Sequence, residues 1–86
     1  MRGTIRFKRL VREAYATELR VLRMSAGLSQ REVGEALGIA RPIVARQESG
    51  RHSASLAQAC RNAWARGGTL LDVLAAVDAR LSQRAA

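Results

Sequence analysis

The side chains able to do chemistry in this sequence are mostly cationic. Its 86 residues carry 15 Lys and Arg against 7 Asp and Glu, a formal net charge of +8. Such an excess points to a polyanionic partner, most often nucleic acid. Arg41 and Arg46 stand out by position, five residues apart in a short helical stretch. A guanidinium is a planar fork of donors that meets a phosphate, or O6 and N7 of guanine, with two bonds at once. Catalytic groups are not assembled in the same way. No G-x-G-x-x-G, P-loop, H-E-x-x-H or nucleophile motif occurs, and His52, the only histidine, has no acid–base partner beside it. The single Cys60 excludes an internal disulfide and a Cys-cluster zinc site, and its helical spacing marks it as a core thiol. The expectation is a binding protein, not an enzyme, with no cofactor and no metal.

Positioning those arginines falls to the stretch Ser29 to Gly50, SQREVGEALGIARPIVARQESG. Ser29 is a good N-cap, and Glu32 three residues later completes an S-x-x-E capping box. Val33, Ala36 and Leu37 share one helical face. Gly38 stops that helix where a left-handed residue is wanted, and Ile39 packs the turn. Arg41 and Pro42 open a second helix, since the first turn has no acceptor for the missing N–H. Ile43 and Val44 give it an inner side, and Gly50 ends it. Gly34 weakens the first helix by about 1 kcal/mol relative to Ala. It makes sense if the second helix crosses closely there. Two short helices about a glycine turn have the layout of a helix-turn-helix, or of a helical hairpin in a small bundle.

The run from Leu19 to Gly50 resembles the Cro/C1 (XRE) family of helix-turn-helix DNA-binding proteins. Leu19, Leu22, Arg23, Gly27, Leu28, Ser29, Gln30, Val33, Leu37, Gly38, Val44, Glu48 and Gly50 carry the resemblance, which continues more loosely to about Leu74. Three positions depart from the family pattern: Ala40 replaces a Ser or Thr cap, Gln47 an apolar or aromatic residue, and Ala54 a common Pro. The resemblance implies an all-α, five-helix, lambda-repressor-like helix-turn-helix domain. It implies base contacts from Arg41, Pro42, Ala45 and Arg46, a backbone contact from Gln30, and an Arg23–Glu48 bridge bracing the recognition helix. Physical reasoning agrees on the docking. The second helix of the motif would lie in the major groove. Pro42 and Ala45 have no donors but can touch a thymine methyl. Gln30 sits at a helix N-terminus, where N–H groups and the dipole favour phosphate. Arg31, Arg51, His52 and Ser53 are the other phosphate candidates.

Outside the motif, residues 1–12 are a basic segment, with Arg2, Arg6, Lys8, Arg9 and Arg12 among Ile5, Phe7, Leu10 and Val11. Their period fits both a strand and a helix. Three readings stay open: a basic arm on DNA, an extension of helix one or of a dimer contact, or a membrane-surface segment. The domain proper spans 13–82. Helix one covers 13–26, with Ala14, Leu19, Leu22 and Ala26 inward, Tyr15 and Val21 at the margins, and Gly27 as its stop. Leu56, Ala59, Cys60, Ala63 and Trp64 form the buried face expected of helix four. After Gly67-Gly68, Thr69 and Asp72 cap a last helix with Leu70, Val73, Leu74, Val77 and Leu81 down one face and Leu71 beside them. That face exceeds what a small domain needs, so Leu70, Leu74, Val77 and Leu81 are the expected dimer interface. Gln83 to Ala86 are expected to fray.

Size supports one domain with a modest core of Leu, Val, Ile and Ala, since a chain this short buries only about 60–65% of its unfolded surface. No apolar run approaches the roughly 20 residues of a membrane span, and no signal-peptide core is present, so the cytoplasm is expected. These features lead to a sequence-specific transcriptional regulator on double-stranded DNA, a homodimeric repressor reading a pseudo-palindromic operator. The alternatives are an antitoxin or other protein-interaction module, whose partner would be a toxin or regulator, and a nonspecific architectural protein.

Overall fold

Local capping chemistry sets the helix boundaries. In the computed structural model, which describes residues 2–85, the chain forms α1 (Arg2–Ser25), α2 (Gln30–Leu37), α3 (Arg41–Gln47), α4 (Leu56–Ala65) and α5 (Leu70–Ala85), with no strand among those residues. Ser29 accepts from the Glu32 N–H at 3.0 Å while the Glu32 carboxylate accepts from the Ser29 N–H at 2.9 Å. Thr69 and Asp72 do the same for α5. Ser55 and Gln58 form a third such box ahead of α4, on an S-x-x-Q spacing that the sequence also carries. At the end of α2, Gly38 adopts φ 69°. Its N–H donates to Glu35 O, and that of Ile39 donates to Gly34 O, the paired bonds of a Schellman closure. The same bond pair ends α1 at Gly27 and Leu28, and α4 at Gly67 and Gly68. In contrast to α2, α4 and α5, α3 starts without a side-chain cap: Ala40 is its N-cap and gives no side-chain bond.

The core lies between α1, α4 and α5, where Ala14, Leu19, Ala63, Val73 and Val77 are buried and Tyr15, Leu22 and Leu81 pack against them. The last helix runs back along the first. Leu22 meets Gly68 just before α5 begins, and Leu10 and Glu13 border one cleft with Leu81 and Arg84 near its end. An exposed ion pair, Arg80 with Glu18, ties the two helices further. Across the motif, α2 and α3 close on each other through Gly34. A methyl there would stand 2.7 Å from the Ile39 carbonyl oxygen and 3.5 Å from Val44 Cγ2. The mid-helix glycine is thus required by the turn and by α3 together.

Several expected faces are rotated. Leu56 and Trp64 are exposed, at 70% and 64%, and Cys60 is half-buried. Ala59 and Ala63 of the expected face are buried, and Asn62 and Arg66 complete the inner side of α4. The physical reason is polar: Asn62 donates to the Tyr15 hydroxyl at 3.0 Å, and Arg66 reaches a carboxylate on α3, which turns that side of the helix inward. Ala36, Ala26 and Ile43 are exposed, leaving Val33 and Val44 as the motif's buried apolar pair. On α5, Val77 is 6% exposed and belongs to the chain's own core, with Leu81 packed beside it and Leu70 half-buried, so of the four leucine and valine positions expected at a dimer interface Leu74 is the exposed one. Leu74 and Leu71, 48% and 76% exposed, are the leucines α5 leaves outside. The basic segment is helical from Arg2 onward and continuous with α1, so the strand pattern of Ile5 and Phe7 is not realised. Met1 and Ala86, the outer ends of that segment and of the expected frayed tail, lie outside the described residues, and so does the Arg2 side chain.

Candidate nucleic-acid interface

The site is built outward from one buried carboxylate. Glu48, the C-cap of α3, has a side chain only 2% exposed. Arg23 on α1 donates through Nε to both its oxygens, at 3.1 and 3.0 Å, so the expected bridge is present. A second guanidinium, Arg66 from the end of α4, donates through Nη2 to Oε2 at 2.9 Å and is itself fully buried. Each arginine is held at its other nitrogen, Arg23 by Leu28 O and Arg66 by Asn62 O, both at 3.0 Å. Burial would raise the Glu48 carboxyl, but hydrogen bonds and charge from the two arginines outweigh it and hold the group below its ordinary value. A doubly paired carboxylate of this kind fixes the end of α3 against α1 and α4 at once.

That anchor extends to the surface. Gln30, the first residue of α2, donates from Nε2 to Glu48 Oε1 at 3.4 Å. Its Oε1 accepts from Arg41 Nη1 at 3.1 Å. The structure therefore brings Gln30 and Arg41 together, linking the first turn of α3 to the buried carboxylate at its far end. By helical register, Pro42 and Arg46 stand opposite buried Val44, with half-buried Ala45 between them. Arg41, Pro42 and Arg46 are exposed. Exposed Arg51, His52 and Ser53 follow α3 in the loop before α4, and His52 and Ser53 share a cleft with Arg46 and Arg61. Arg31 is apart from these, on the outer face of α2, and lies 3.5 Å from Glu35. Sequence reasoning missed Arg66 and Asn62. Their signal was the spacing Ala59, Asn62, Ala63, Arg66, a helical stripe of small and polar residues beside the apolar one. Among the described residues, no group of three or more His, Cys, Asp or Glu could hold a metal ion, and no helix is long and apolar enough to cross a membrane.

A neutral-to-cationic helix face braced on a charge network is suited to following a groove lined with phosphates. Comparison with known proteins agrees. The family model described as a helix-turn-helix domain matches residues 14–83. Two crystal structures of the clp gene regulator ClgR from Corynebacterium glutamicum superpose on the chain at 28% identity. One does so with a TM-score of 0.76, covering 81% of this chain and 91% of the other. The second has a TM-score of 0.79 and covers 87% and 80%. No curated protein matches the chain.

Proposed function

We infer that this chain, which belongs to the XRE family of helix-turn-helix DNA-binding proteins, is a sequence-specific transcriptional regulator that binds as a homodimer and represses by occupying a pseudo-palindromic operator. The observation that supports this most is the network from Glu48 through Gln30 to Arg41. It pre-sets a base-reading side chain on an exposed helix face before any DNA is present. Arg41 and Arg46 each give a bidentate fork to guanine, and Pro42 and Ala45 supply apolar contact to thymine methyls. Arg51, His52, Ser53, Gln30 and Arg31 hold phosphates and set the register. The similar chain named as a gene regulator supports the regulatory part of the reading. Leu71 and Leu74, exposed on α5, supply apolar surface for the dimer contact.

Selection of bound duplexes from random DNA, followed by binding isotherms at several salt concentrations, tests the proposal. Arg41→Ala or Arg46→Ala is expected to cost about 1–3 kcal/mol on the selected operator and to relax preference at one base position. Arg51→Ala is expected to weaken operator and random DNA alike and to make the salt slope shallower by about one unit for each protomer bound. Equal losses from all three variants on both DNAs would show that α3 does not read bases.

A further inference from the structure

The first three turns of α1 precede the residues shared with the family, and nothing in the motif requires them. Before Glu18 the sequence holds one carboxylate, Glu13, against Arg2, Arg6, Lys8, Arg9 and Arg12. Their orientation is fixed by a contact at the motif's own end. A methyl on Gly50 would stand 3.4 Å from Glu13 Cα and 3.9 Å from Ala16 Cβ, so the loop that begins with Arg51 leaves the protein directly against this side of α1. Arg9 and Arg6 are four and seven residues before Glu13 and lie on the same helical face. Lys8, five residues before it, is turned about 140° away. The Arg9–Glu13 contact is long, 3.9 Å, with side chains 62% and 47% exposed, and leaves the guanidinium free to bind elsewhere. Arg12 is half-buried and its Nε has no acceptor.

We propose that these turns are a rigid basic spur that lies along the DNA backbone flanking the half-site, with Arg6 and Arg9 as phosphate contacts. The proposal rests on the docking inferred above. From Glu13 to Arg6 the helix advances about 10.5 Å, which corresponds to about three base pairs of rise along the DNA axis at 3.4 Å each. The spur thus continues the phosphate-contacting loop outward from the operator. Because it is helical and continuous with the core helix α1, it needs no ordering on binding, and its contribution is electrostatic and independent of flanking sequence.

The test uses the full chain and two duplexes, one ending at the edge of the selected operator and one extended by several base pairs of arbitrary sequence on each side. The unaltered protein is expected to bind the longer duplex more tightly, whatever the flanking sequence. The Arg6→Ala/Arg9→Ala double variant is expected to lose that advantage, with a salt slope on the longer duplex shallower by about 3.6 units for the dimer, about 1.8 from each protomer. On the short duplex it should match the unaltered protein, and Lys8→Ala should keep most of the advantage of length. Equal affinity of the unaltered protein for both duplexes overturns the spur while leaving preference for the operator over random DNA in place. Loss of that preference on the short duplex overturns the docking itself. A double variant whose dimer mass falls while its length dependence is unchanged overturns the proposal in favour of a contact between copies through exposed Ile5 and Phe7.

Discussion

Glu48 carries more of the stability of this domain than its position at a helix end suggests. Removing it would strand Arg66, fully buried, without its counter-charge. Breaking such a pair from one side costs about 3–5 kcal/mol, so Glu48→Ala is expected to lower the urea midpoint by a large fraction of the stability of a domain this size. The carboxyl also makes stability depend on pH. Its folded value lies below the ordinary one, so its contribution is complete above about pH 4.3 and is lost as pH falls through the folded value. Urea midpoints measured between neutral and strongly acidic pH should therefore decline more steeply for the natural protein than for Glu48→Gln. Parallel curves would mean that the carboxyl is not linked to folding. The Arg23–Glu48 half of this network was legible because a family resemblance singles it out. The Arg66 half was not, because a charge in a polar helix reads as a surface residue until its partner is known.

At the scale of the element, α3 is assembled from opposed local preferences. Ala40 adopts the extended conformation of an N-cap, φ −72° and ψ 148°, without a side chain able to bond the first turn. Ala40→Ser is expected to add about 1 kcal/mol and raise the melting temperature by about 4–8 °C, read in a thermal scan. Gly34 behaves in the opposite way. Helix propensity favours alanine by about 1 kcal/mol, yet the added methyl would meet the Ile39 carbonyl oxygen at 2.7 Å. Gly34→Ala should melt at a lower temperature than the natural protein; a higher one would show that the turn can yield. Legibility follows the range of the interaction. The Ser29–Glu32 and Thr69–Asp72 caps join residues three apart, and the helix starts were readable for that reason. The phase of α4 was not, since Leu56 and Trp64 make as good an apolar stripe as any. Only contacts 47 and 18 residues away, Asn62 to Tyr15 and Arg66 to Glu48, turn the other side inward.

For the molecule as a whole, assembly is the property that the rotated faces of α5 redirect. A homodimer formed through Leu71 and Leu74 predicts twice the 9.4 kDa protomer mass in sedimentation at micromolar concentration. Leu74→Asp should yield a folded monomer with weaker operator binding. Val77→Asp, buried in the core, should instead lose helicity by circular dichroism. If Leu74→Asp sediments as the natural protein does, the contact lies elsewhere. The five helices were countable from caps and glycines, but which leucines face out depends on how α1 fills the space beside α5, and the sequence pattern of α5 alone does not contain that.

The shortness of α3 reaches beyond its docking. Seven residues with an uncapped start fall well below the roughly 12–15 at which a helix stands alone in water. Its shape is lent by Val44 and by the carboxylate that follows it, both sealed inside the domain. A free peptide of residues 40–48 should be a coil with no grip on an operator. Within the protein, the amides of Val44 and Glu48, which are hydrogen-bonded on buried residues, should be protected from exchange with deuterium where those of the peptide are not. Apparent affinity for DNA is then multiplied by the fraction of chains still folded, so warming through the melting range should empty the operator in step with loss of helicity. The reading head doubles as a thermometer of the fold that carries it.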